Sequence, residues 1–157
     1  MTKDTVNYYT RKISESNPTQ IIVLVYEMTE IYLDEAIMAH KGKDMEGFTA
    51  GLSKASKCIN DLIEALDMQY EISHQLIDIY MFMNKEISVA MVTYNAESIA
   101  RIQAMVTKLK TSFEELSAKD TSSAVMGNTQ EVYAGLTYGK GSLNESTSIQ
   151  SNRGFTV

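Results

Sequence analysis

Apolar positions recur at helical spacing through most of the chain, in four long blocks. The first, Asn17 to His40, is the most apolar. At roughly 100° per residue, one stripe is Ile21, Val25, Met28, Tyr32, Ala36 and Ala39; a second is Ile22, Tyr26, Leu33 and Ile37; a third is Leu24, Ile31 and Met38. Glu27, Glu30 and Asp34 form the remaining polar wedge. A helix apolar around most of its circumference needs several neighbours to cover it, or must itself cover a partner. Its start is marked by Asn17 as a cap, Pro18 at the first helical position and Gln20 three residues after the cap.

The turn after it holds Gly42, suited to a C-terminal cap, and Asp44, suited to the next N-cap. The second block has one clean face: Phe48, Leu52, Ala55, Ile59, Leu62, Ile63 and Leu66. Gly47 and Gly51 weaken its first turns and predict either fraying or close approach of another backbone. A bend is expected over 67–71. The third block runs to about Tyr94 and again shows two apolar sets. Ile72, Leu76, Ile79, Tyr80, Met83, Ile87, Ala90 and Tyr94 form the main stripe, and Met81, Phe82, Val89 and Val92 point elsewhere. Asn95 is the expected cap of a fourth helix with the face Ile99, Ile102, Val106, Leu109, Phe113 and Leu116. Four helices of about 20 residues, each about 30 Å long, joined by short turns, predict an all-α fold. The expected architecture is an antiparallel up-down four-helix bundle over residues 17–116.

Two flanking segments break the pattern. Residues 1–16 are polar except for Val6, Tyr8, Tyr9 and Ile13. They read either as a frayed terminus or as an N-terminal arm packed on the bundle through Tyr8 and Ile13. Residues 117–157 hold five of the chain's eight glycines and lack helical periodicity, which predicts a long flexible C-terminal tail. The alternative is an extended segment that lays isolated side chains such as Tyr133, Leu136 and Tyr138 into grooves.

Composition narrows the function. The 157 residues suffice for one domain with a core. A net charge of −6, without a basic cluster, argues against nucleic-acid or anionic-membrane partners. The N-terminus lacks a signal-peptide core and no run is long enough for a bilayer, so a cytoplasmic protein without membrane insertion is expected. The one cysteine, Cys58, lies in a helical apolar pattern, which predicts a reduced core thiol rather than a nucleophile.

Candidate chemistry is sparse. A di-metal carboxylate bundle needs two Glu-x-x-His pairs; Glu71 and His74 make one, and His40 lacks the partner Glu. The GLTYGKGS stretch lacks the spacing of a phosphate loop. The expectation is therefore a non-enzyme with no cofactor and no metal. Ten methionines are adaptable apolar side chains, and most read as core filler. A partner is suggested instead by the extra apolar faces of the first and third helices, which either bury in a larger core with the arm and tail or accept an amphipathic helix from another protein.

The order of these features resembles the flagellin-specific secretion chaperone family (FliS type). The resemblance is carried by an arm with a tyrosine and an aliphatic residue (Tyr8, Ile13), the Asn17-Pro18 helix start and the apolar run through Val25-Tyr26. It continues with Asp44, Leu52-Ser53-Lys54-Ala55, Cys58-Ile59, Leu62, Leu66-Asp67 and Tyr80-Met81-Phe82-Met83. It covers roughly residues 8 to 116. The resemblance implies a cytosolic export chaperone that binds the disordered C-terminal segment of flagellin, prevents premature polymerisation and delivers it to the flagellar export machinery. It also implies that the arm covers the groove and moves aside. The candidate partner-binding residues are Tyr8, Ile13, Ile22, Tyr26, Leu33, Ile37, Met81, Phe82, Val89 and Val92, in a protein that is a monomer or weak homodimer when free. A metal-binding bundle or a generic helical adaptor is the alternative.

Overall fold

The computed structural model describes residues 1–125. Among them the chain is all-helical, with five helices and no strand: α1 (Lys3–Ser14), α2 (Pro18–Lys41), α3 (Met45–Ala65), α4 (Glu71–Thr93) and α5 (Glu97–Ser117). The N-terminal arm is thus itself a helix. Of the tail expected over residues 117–157, residues 118–125 are described and hydrogen-bond back to Ser16 and Thr19 at the start of α2; residues 126–157 lie outside the described residues.

Local chemistry explains the boundaries. Asn17 Oδ1 accepts from the Gln20 N–H at 2.8 Å, and Gln20 Oε1 accepts from the Asn17 N–H at 2.9 Å. This reciprocal box satisfies donors that the first turn of α2 leaves open. Asp44 caps α3 by accepting from the Gly47 N–H at 2.9 Å. Gly42 ends α2 without using its freedom, at φ −78°; the left-handed residue is Lys43, at φ 59°. Asn95 accepts from the Glu97 N–H at 2.8 Å, although α5 is capped formally by Ala96. Tyr94, at φ 48°, turns the chain out of α4. The ring of Tyr94 packs on His40 and Phe48, and its carbonyl meets His40 Nε2 at 3.1 Å.

α2 is the most extensively packed helix, first against α3 and then against α5; α4 joins α3 to α5. Cross-helix pairs give the running directions. Asp34–Gln103, Glu30–Thr107 and Tyr26–Phe113 step down α2 while stepping up α5. His40–Phe48 and Ala36–Gly51 do the same for α2 and α3, as do Ser53–Met91 and Asn60–Asn84 for α3 and α4. Gly51 is where two backbones come close. A Cβ there would lie 3.0 Å from Ala36 N and from Tyr32 O. The core draws one face from each of these four helices, including Ile22, Leu33, Phe48, Leu52, Leu62, Met83, Ile87, Ile99 and Ile102, all fully buried. At its centre the hydroxyls of Tyr26 and Tyr80 meet across the gap between α2 and α4, so both phenols bury their rings with a polar partner in reach.

Candidate functional site

α1 lies antiparallel along the outer side of α2. Tyr9 Oη donates to Glu27 Oε2 at 3.2 Å, and eight residues earlier the amino group of Met1 pairs with Glu35, eight residues later on α2. Tyr32 Oη reaches Met1 Sδ at 3.8 Å. α1 is amphipathic for a plain reason: Met1, Thr5, Tyr9 and Ile13 recur at i, i+4 spacing on its inner side, while its outward side carries Lys3, Asp4, Arg11 and Lys12 together with the exposed Val6 and Tyr8. Tyr9 is its buried residue, at 8% exposure. Burial, then the neighbouring Glu27 carboxylate, pushes the Tyr9 phenol up to about 12. This explains how α2 carries apolar side chains on so many sides. Ile21, Ile22, Val23 and Leu24 are buried in succession, because α1 lies outside α2 while α3 and α5 flank it.

The expected partner-binding residues fall into three groups. Ile22, Tyr26 and Leu33 are fully buried in the core, and Ile37 is half-buried against it. On α1, Ile13 is half-buried, whereas Tyr8 is 52% exposed, edge-on to Tyr9 and under the Lys12 ammonium. Met81, Phe82, Val89 and Val92 form an exposed arc on the outer side of α4, with Val92 at 88% exposure. Lys85 sits inside this arc and Asp78 continues it toward the start of the helix. The structure therefore does not gather these residues into one groove. It gives a covered face on α2 and an open face on α4, with the core between them. Sequence reasoning missed Tyr9 as the anchor of the arm. The signal was present in its i, i+4 relation to Thr5 and Ile13.

Other chemistry does not assemble. Among the described residues, no three His, Cys, Asp or Glu side chains cluster in a way that could hold a metal. Glu71 and His74 are exposed at the start of α4. Cys58 is buried, and its thiol is pushed up to about 11 by burial and by nearby Asp61. Among the described residues no helix is long and apolar enough to cross a membrane.

No curated protein matches the chain. Residues 1–120 match the family model described as flagellar protein FliS, a span that takes in all five helices. That span includes the arm, the capped start of α2 and the Tyr80–Met83 stretch that carried the resemblance in the sequence. The chain belongs to the FliS family, a family of flagellar chaperones rather than enzymes.

Proposed function

We propose that this protein is a cytosolic flagellar export chaperone that binds the C-terminal segment of flagellin and keeps it from polymerising until export. In this reading α2–α5 form an antiparallel up-down bundle, and the client docks as helices on its outer faces. The observation that carries the proposal is the seat of α1. An amphipathic helix of 12 residues lies on the outer face of α2 with one fully seated aromatic. A helix that short is marginal in water on its own, so its cover is removable, and a client helix with the same pattern fits the same face. The exposed Met81, Phe82, Val89 and Val92 offer a second seat whose soft and aromatic side chains adapt to a partner. Tyr8 and Ile13 meet the client at the edge of the first seat. Ile22, Tyr26, Leu33 and Ile37 pack in or against the core, so in this reading they hold α2 in place rather than touch the client.

A client disordered when free folds as it binds, burying on the order of 1,000–3,000 Å². The test is size-exclusion chromatography with light scattering, mixing this protein with flagellin from the same organism and with flagellin lacking its C-terminal segment. A one-to-one complex only with the intact flagellin is expected. Absence of a complex with either removes the flagellin reading.

A further inference from the structure

The corner where α1 turns into α2 is held by the segment that follows α5. Asp120 is buried and its Oδ2 accepts from Thr19 Oγ1, itself fully buried in the first turn of α2, at 2.6 Å. Its Oδ1 accepts from the N–H and the hydroxyl of Ser122, at 2.9 and 2.6 Å, which turns the segment back over the corner. Val125 N–H then donates to the Ser16 carbonyl at 3.0 Å. Ser16 is also the residue that closes α1: its hydroxyl donates to the Lys12 carbonyl at 2.6 Å and its N–H to the Ile13 carbonyl at 3.2 Å. Ser16 and Asn17 connect two helices yet are both buried, which is unusual for a linker. Burial raises the Asp120 carboxyl, but the Ser122 and Thr19 hydrogen bonds outweigh it and hold the group below the usual carboxylate range.

We propose that residues 118–125 are a latch on the α1–α2 hinge: α1 leaves the outer face of α2 only when the Val125–Ser16 contact breaks. The reason is geometric. α1 is a rigid rod, so its departure must be taken up by backbone rotation within residues 15–17. Ser16 cannot rotate and keep its carbonyl on Val125. Asp120 fixes the other end of the segment on α2, so the segment cannot follow α1 outward. Arm opening and latch release are then one event, and whatever favours either favours the other to the same degree. Ser122 and Val125 lie beyond the residues matched by the family, 1–120, so the latch contact is outside the family-defined region. The consequence for the client rests on the proposed export-chaperone function; the latch itself does not.

The full-length chain serves for the test. Val125→Pro removes the N–H donor at a site outside the core, and Thr19→Val removes the hydroxyl that holds Asp120. Limited trypsin digestion at Arg11 and Lys12 reads the open population of α1 when reclosing outpaces cleavage. Losing one such hydrogen bond raises α1 cleavage roughly fivefold in each variant, with the helical melting transition of Val125→Pro unchanged. Unchanged cleavage of α1 in Val125→Pro overturns the latch, whatever Thr19→Val does to folding. Faster cleavage in Val125→Pro with unaltered affinity for flagellin's C-terminal segment upholds the latch and removes the idea that α1 covers the client seat.

Discussion

Replacing Tyr9 with alanine isolates the arm. The ring is 8% exposed and belongs to α1, whereas the core belongs to α2–α5. A buried tyrosine removes about 200 Å² from water, worth about 5 kcal/mol at 25 cal/mol per Å². Subtracting the alanine share and the ring entropy recovered on undocking leaves about 3 kcal/mol. That is about two orders of magnitude in the ratio of closed to open arm. If α1 occludes the client face, apparent affinity equals intrinsic affinity multiplied by the open fraction. Tyr9→Ala should therefore bind flagellin's C-terminal segment more tightly, by up to about 100-fold, with the gain ending once the arm is mostly open. Trypsin cleavage at Arg11 and Lys12 should accelerate in parallel, while the melting temperature of the bundle moves by only a few degrees. Asn7→Ala, exposed on the same helix and outside the proposed client contacts, is the control, since an exposed side chain changes stability by no more than about 0.5 kcal/mol. Isothermal titration calorimetry beside timed proteolysis gives both quantities. Accelerated cleavage of α1 with unchanged client affinity would refute the reasoning, because the arm would then be open and the client indifferent to it. A collapse of the melting transition would show instead that α1 is part of the core.

Other outcomes follow from the same geometry. The Tyr9 phenol is raised to about 12 from an ordinary value near 10. Its neutral form favours docking, fully below pH 10 and progressively less as pH rises toward 12; α1 proteolysis should accelerate over that window, and Tyr9→Phe, which lacks the ionisable hydroxyl, should remove the phenol's part of the effect. Gly51→Ala forces a methyl to within 3.0 Å of backbone atoms of α2 and should destabilise the bundle by about 1–3 kcal/mol in urea. Gly42→Ala, at an ordinary negative φ with nothing nearer than 3.5 Å, should instead stabilise it by about 0.4–1 kcal/mol. Cys58, buried and with its thiol near 11, should resist a thiol reagent at pH 8 in the native protein and react fully after denaturation; rapid native labelling would show that α3 opens locally.

Much of the helical plan is legible in the chain. The Asn17–Gln20 box is a local motif, because a cap needs only the right side chains at three-residue spacing, and the structure forms it as read. The core face of α3 follows from period alone, since Phe48, Leu52, Ala55, Ile59 and Leu62 share one side of the helix and all are buried. The two apolar sets of α4 likewise separate cleanly: Leu76, Tyr80, Met83, Ile87 and Ala90 turn inward and Met81, Phe82, Val89 and Val92 outward. Ile72 departs from this, being half-exposed on the first turn, where neighbouring helices give less cover.

What only the tertiary structure decided is which apolar surface is already taken. Period places residues on faces of a helix, but it does not say which face meets another element, since that depends on contacts distant in sequence. So much of the excess of α2 turned out to be covered by the chain's own α1, with Met38 left 66% exposed beyond it, and the residue that seats there is Tyr9 rather than Tyr8: adjacent aromatics on a short helix differ by 100° in direction, and only the docked geometry selects one. Asp120 shows the same limit. In the sequence it is one acid in a polar stretch; in the fold it grips Thr19, 101 positions away, at the start of α2. Helices form from neighbours along the chain, and so can be read there. Covers and latches form between segments that meet only after the helices have packed.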